Sequence, residues 1–124
     1  MTVLDLKSLS LRHVNSALQH ASAETSWVLE NPMGKHAVAA GLRESLKVDI
    51  KGSVGYYCGG MNKNANVVVH GSAGPGVAEN MMSGSIHVKG DASQYAGASA
   101  HGGTLVVEGN SSSRCGISMK GIDI

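Results

Sequence analysis

From Val48 onward, short runs of alternating apolar and polar residues recur every nineteen positions without a gap. Val48-Asp49-Ile50-Lys51-Gly52, Val67-Val68-Val69-His70-Gly71, Ile86-His87-Val88-Lys89-Gly90 and Leu105-Val106-Val107-Glu108-Gly109 fall under one another when the chain is written in rows of that length. Alternation with a period of two marks a strand with one buried and one wet face. The inner set is then Val48, Ile50, Val67, Val69, Ile86, Val88, Leu105 and Val107, all aliphatic. The outer set is Asp49, Lys51, His70, His87, Lys89 and Glu108, with Val68 and Val106 as exceptions. A nineteen-residue unit is too short for strands plus a crossover helix of a dozen residues, and every run recurs in the same phase. The expected arrangement is one coil stacked on the next with equivalent strands parallel, an all-β solenoid of the parallel β-helix type.

Further along each row, Gly55, Gly74, Ser93 and Ser112 align, as do Gly59, Ala78, Gly97 and Gly116. Each row follows the template G-xx-G-xxx-G, with small residues replacing some glycines. Gly52, Gly71, Gly90 and Gly109 come straight after a strand, where a corner demands positive φ or a close backbone approach. Together with Gly59, Gly97 and Gly116 they are the expected structural turn positions. Cys58 and Cys115 share a column with Val77 and Ala96, so both thiols are expected in the core. Three coils separate them by roughly 14 Å, too far for a disulfide, which needs Cα atoms within about 7 Å.

Residues 1–47 do not follow the repeat and are expected to form a small α/β capping segment, with the solenoid over 48–124. Leu11, Val14, Leu18 and Ala21 lie at helical spacing behind Ser10, a good N-cap, which predicts a helix over about 11–21. Trp27-Val28-Leu29 and Ala37-Val38-Ala39-Ala40 read as short extended runs separated by a turn at Asn31-Pro32-Met33-Gly34. Ile122-Asp123-Ile124 begins a fifth strand of the repeat. A truncated chain is expected, or an edge covered by another polypeptide.

With 124 residues the chain holds one domain's worth of structure. Ten Lys plus Arg against nine Asp plus Glu give a net charge of +1, no broad field for a phosphate backbone or an anionic membrane. Neither nucleic acid nor membrane is an expected partner. No apolar run approaches the roughly 20 residues of a membrane span, and no signal-peptide pattern opens the chain, so a cytoplasmic location is expected. Seventeen Gly, no Phe, one Trp and three Tyr leave the core to aliphatic residues and the backbone to frequent tight turns. Two Cys without a CxxC pair offer no zinc or iron–sulfur site.

No catalytic constellation stands out. The glycine spacing tempts a phosphate-loop reading, but such a loop joins a strand to a helix, and here the spacing repeats four times with no helix following. His70 and His87 are diagonal neighbours at roughly 7 to 8 Å, too far apart for a shared zinc without a third ligand; an exposed surface pair is expected. Asp49, Glu79, Asp91 and Glu108 show none of the pairing that a carbohydrate-cleaving or acyl-transferring β-helix enzyme, the rival of another class, would need. Met81 and Met119 share a column and suit core filling. Tyr57 and Tyr95 share another and either rim a docking surface or cover a corner.

The stretch His70-Gly71-Ser72-Ala73-Gly74-Pro75-Gly76-Val77-Ala78-Glu79-Asn80-Met81-Met82-Ser83-Gly84, with Gly90-Asp91-Ala92-Ser93-Gln94, Arg114-Cys115-Gly116-Ile117-Ser118-Met119-Lys120-Gly121, Asn31-Pro32-Met33-Gly34 and Gly55-Tyr56-Tyr57-Cys58, resembles the GXGXG domain. That family comprises the C-terminal domain of the glutamate synthase large subunit and the stand-alone small subunit of N-methylglutamate synthase-type complexes, to which the match is closest. The resemblance covers nearly the whole chain and implies a right-handed parallel β-helix lacking the family's later coils. It implies a non-catalytic buttress between two partners, a class II glutamine amidotransferase and an FMN-binding synthase subunit carrying an iron–sulfur cluster. Met1-Thr2 offers no Cys for the amidotransferase nucleophile, so no cofactor and no catalytic residue are expected here. Arg114, Lys120 and Asp123, in or beside the family-like stretch, are the candidate partner contacts, weighed against a merely solvated face. A second reading places the same scaffold in a formylmethanofuran dehydrogenase, whose third subunit has a similar domain.

Overall fold

A computed structural model describes residues 1–110 and the strand residues Ile122 and Asp123. Among the described residues seven strands form one parallel sheet in chain order: β1 (Thr2–Asp5), β2 (Ser26–Glu30), β3 (Lys47–Lys51), β4 (Asn66–Val69), β5 (Ser85–Val88), β6 (Gly103–Val107) and β7 (Ile122–Asp123). One helix, α1 (Leu11–Gln19), lies between β1 and β2. The all-β solenoid expected from the period is the fold found. Val48, Val67, Ile86 and Leu105 are successive rungs of one ladder, and Ile50, Val69, Val88 and Val107 of a second. All are buried except Val107, which is partly so, and each such aliphatic side chain contributes roughly 1.5–3 kcal/mol by leaving water. A short third ladder through Val54, Ala73 and Ala92 lies on another side of the coil.

β1 and β2 extend the same sheet downward, with Thr2 beside Trp27 and Trp27 beside Val48. The nineteen-residue period hides these rungs because Trp27 and Val48 are twenty-one positions apart, and Thr2 and Trp27 twenty-five, with α1 in the excess. The extended run expected at Ala37-Val38-Ala39-Ala40 is not a strand. Ala37 and Ala39 have φ of 56° and 58°, and Val38 and Ala39 are buried. This is the corner of the second coil, where small apolar residues fit a tight interior bend.

The corner has one construction in four successive described coils. Positive φ, between 55° and 75°, falls on every second residue: 37, 39, 41; 57, 59, 61; 76, 78, 80; and 95, 97, 99. Successive peptides therefore flip, and their N–H groups point alternately to the coil above and the coil below. Tyr57 and Met61 donate up to the carbonyls of Pro75 and Glu79, while Gly59 donates down to Val38; Gly76, Asn80 and Ala78 repeat this against Gln94, Ala98 and Cys58. The third template position, Gly59, Ala78 and Gly97, is the middle left-handed residue. In the next coil the first two positions answer a different need, since a Cβ on Gly71 would lie 2.6 Å from the carbonyl carbon of Gly52, and one on Gly74 2.7 Å from that of Gly55, whereas Gly52 itself has φ of 144°.

A left-handed non-glycine residue costs roughly 1–2 kcal/mol, least for Asn. Met61, with φ 58° and 57% exposed, has little packing to lose, and Asn80 already occupies the equivalent place one coil on. Met61→Asn is expected to raise stability by about 0.5–1 kcal/mol, read as a higher Tm; an unchanged or lower Tm would show that the corner carries no strain there.

Ser10 caps α1 by accepting the N–H of His13 at 3.1 Å, and Val14 and Leu18 are its buried residues. The next residue along each buried stripe meets the second coil's corner. Ala39 donates its N–H to Asn15 Oδ1 at 2.8 Å, Asn15 Nδ2 donates to the Ala37 carbonyl at 2.8 Å, and Gln19 Nε2 donates to the Ala40 carbonyl at 2.9 Å. In the coils above, the corresponding N–H of Ala78 and carbonyl of Gly60 are satisfied by a neighbouring coil. Two side-chain amides thus replace a coil of backbone.

Candidate functional site

The wet side of the sheet and its margin hold two histidines, each taken by a carboxylate of an adjacent coil. His70 Nε2 lies 2.9 Å from Asp49 Oδ1, and His87 Nε2 is hydrogen-bonded to Glu108, whose Oε2 also meets Lys89 Nζ at 3.2 Å. The pairs are diagonal because each partner sits two residues beyond the strict register. Hydrogen bonds from Lys89 and then His87 hold the Glu108 carboxyl below its ordinary value. Whatever stability this adds is present above the unfolded carboxyl value and lost as the pH falls through the folded one; its exposed position keeps it small. Among the described residues no three His, Cys, Asp or Glu side chains gather as a metal-binding group.

Asp91 serves the backbone. Ser53 Oγ accepts the N–H of Ser72, Ser72 Oγ that of Asp91, and Asp91 Oδ1 that of Asn110, at 3.0, 3.0 and 2.8 Å. This polar column runs up the corner after the strands, one residue beyond the glycines. Sequence reasoning misses it because Ser, Ser and Asp share only a side-chain oxygen, and the first template glycine beside them draws attention away.

Cys58 is wholly buried, and desolvation pushes its thiol up to about 12. The thiolate is the reactive form, so Cys58 in the folded protein is expected to resist iodoacetamide at pH 8 and to alkylate fully in denaturant. Peptide mass spectrometry reads the result; rapid native labelling would show that this corner opens. Cys115, Gly116, Arg114, Lys120 and Met119 lie outside the described residues, as does the side chain of Asp123. Met81, by contrast, is buried in the core and Met82 is exposed.

Two open grooves run along the corner, one on each side of the left-handed column. The first is lined by Tyr56, Tyr57, Pro75, Gly76, Glu79 and Tyr95, which brings Tyr57 and Tyr95 onto one surface; Tyr56 stacks on His36 with ring centroids 3.9 Å apart. The second, of about 430 Å³, is lined by Gly41, Arg43, Met61, Lys63, Asn80, Met82 and His101. Sequence reasoning reaches the tyrosine column through the period but misses the second groove, because Arg43 sits in the longer coil, out of step with Lys63 and Met82.

No family model matches the chain, and no solved structure matches it. No helix among the described residues is long and apolar enough to cross a membrane. Protein GlxC of Rhizobium meliloti (strain 1021) is 59% identical over 65 residues, an alignment that takes in 50% of this chain and 28% of that protein's length. The chain is thus similar to Protein GlxC over half of itself and to a little more than a quarter of that relative.

Proposed function

We propose that the chain is a non-catalytic β-helix subunit of a cytoplasmic glutamate synthase-type or N-methylglutamate synthase-type complex. It positions a class II glutamine amidotransferase against an FMN-binding, iron–sulfur synthase subunit, so that ammonia or methylamine passes from one to the other. The FMN and the cluster belong to the synthase partner, and the chemistry proceeds there. One observation supports the reading above the rest: the repeated glycines have backbone reasons, either a coil approaching within a Cβ's reach or a left-handed corner, in successive coils. Glycines so explained belong to a rigid spacer and not to a phosphate loop. The test is purification of the full natural protein under gentle conditions. Co-purification of a glutaminase and a flavoprotein in fixed ratio is expected; a solitary monomer that ignores both would overturn the proposal.

A further inference from the structure

We propose that the groove between Arg43 and His101 is a docking site for an acidic segment of a partner polypeptide that also carries aliphatic side chains. The proposal goes beyond the preceding one and does not depend on which complex the chain joins.

The groove owes its shape to the solenoid. Lys63, Met82 and His101 donate their N–H groups to the carbonyls of Leu42, Asn62 and Met81 in the coil below, which places Arg43, Lys63, Met82 and His101 at equivalent points of four consecutive coils. At about 4.8 Å per coil the column spans roughly 14 Å, the length of an extended peptide of about four residues. Its neighbours on the floor are Met61 and Asn80. Met61 and Met82 are 57% and 53% exposed, and two unbranched thioether side chains make a floor that adapts to an aliphatic guest.

Charge selects the kind of guest. Among the described residues no carboxylate lines the groove, and neither Arg43 nor Lys63 has an ion-pair partner. The sheet face contrasts with this, since Asp49 and Glu108 there pair with His70, His87 and Lys89. Glu79 lines the tyrosine groove instead, and Glu44 is the one acidic chain neighbour of Arg43. With a whole-chain charge of only +1, unpaired cations over exposed methionine make a local feature that complements an acidic, aliphatic segment. Nucleic acid fits less well because no Phe, Tyr or Trp among the described residues lines this groove, which leaves the His101 ring as the one aromatic side chain there to stack a base.

The test measures fluorescence anisotropy of the full chain with a fluorescein-labelled peptide of Glu, Leu and Gly. Counterpart probes replace Leu by Ser or Glu by Lys, and a single-stranded DNA oligonucleotide completes the set. The Glu-Leu peptide is expected to bind at least about tenfold more tightly than every counterpart, and Arg43→Glu with Lys63→Glu to weaken it by at least about tenfold. Lys47→Glu with Lys51→Glu, on the sheet face, is expected to leave binding within about twofold. Met82→Ser separates the apolar share from the charge and is expected to weaken binding with no change in salt dependence. A charge-reversal variant that melts with the parent yet binds undiminished overturns the proposal. So does an oligonucleotide that binds as tightly, or a Glu-Leu peptide that does not bind at all.

Discussion

Gly71→Ala is expected to melt at least about 10 °C below the parent protein, the response to about 3 kcal/mol in a domain of this size. The methyl group would lie 2.6 Å from the Gly52 carbonyl carbon, 2.7 Å from the Ser53 nitrogen and 2.8 Å from the Gly52 oxygen. All three are backbone atoms of the coil below, so no side-chain rotation relieves the contact. Relief requires the coils to part, and the hydrogen bonds flanking this point, His70 N–H to the Ile50 carbonyl at 2.8 Å and Ser72 N–H to Ser53 Oγ at 3.0 Å, would stretch or break. Gly34→Ala is the fitting comparison. A Cβ there meets nothing within 4 Å, but φ is 71°, so its cost is the backbone penalty alone, about 1–2 kcal/mol. Thermal denaturation followed by circular dichroism ranks the two; equal losses would remove close coil approach as the reason for the first template glycine.

Asn15→Ala is expected to cost about 2 kcal/mol, since it strands the N–H of a fully buried residue, Ala39, and removes the donor to the Ala37 carbonyl. The loss is also local. Amide hydrogen exchange at Ala39 should accelerate well beyond that of Gly59, whose N–H bonds to Val38 within the stack. Gln19→Ala removes one exposed bond and is expected to cost under about 1 kcal/mol. If Asn15→Ala left both Tm and Ala39 exchange unchanged, α1 would be an attachment to the solenoid and not its lower closure.

The ladders are legible in the sequence because two periods coincide there. Val48, Val67, Ile86 and Leu105 alternate with polar neighbours at a spacing of two and recur at a spacing of nineteen, and either signal alone would be weaker. The rungs at Trp27 and Thr2 escape because the first coils are longer and out of phase. Ala37-Val38-Ala39-Ala40 misleads because small apolar residues suit both a buried strand and a tight interior corner, and only the dihedral angles separate the two. Asn15 and the Ser53, Ser72, Asp91 column are invisible for a further reason. A side chain that replaces a backbone partner does so once, or in varied chemistry, and leaves no periodic trace. The grooves are half legible, as the aromatic column at Tyr57 and Tyr95 keeps the period and Arg43 does not.

The constant register of the later coils also governs how such a chain can change in size. Losing or gaining a single residue within a strand turns its inner side chains outward, whereas duplicating a whole coil offers each new rung a neighbour identical to the one it copies. Length is therefore quantised, and the separation between whatever rests on the two ends advances in steps of about 4.8 Å. A molecule built this way is a ruler, graduated by the hydrogen bond.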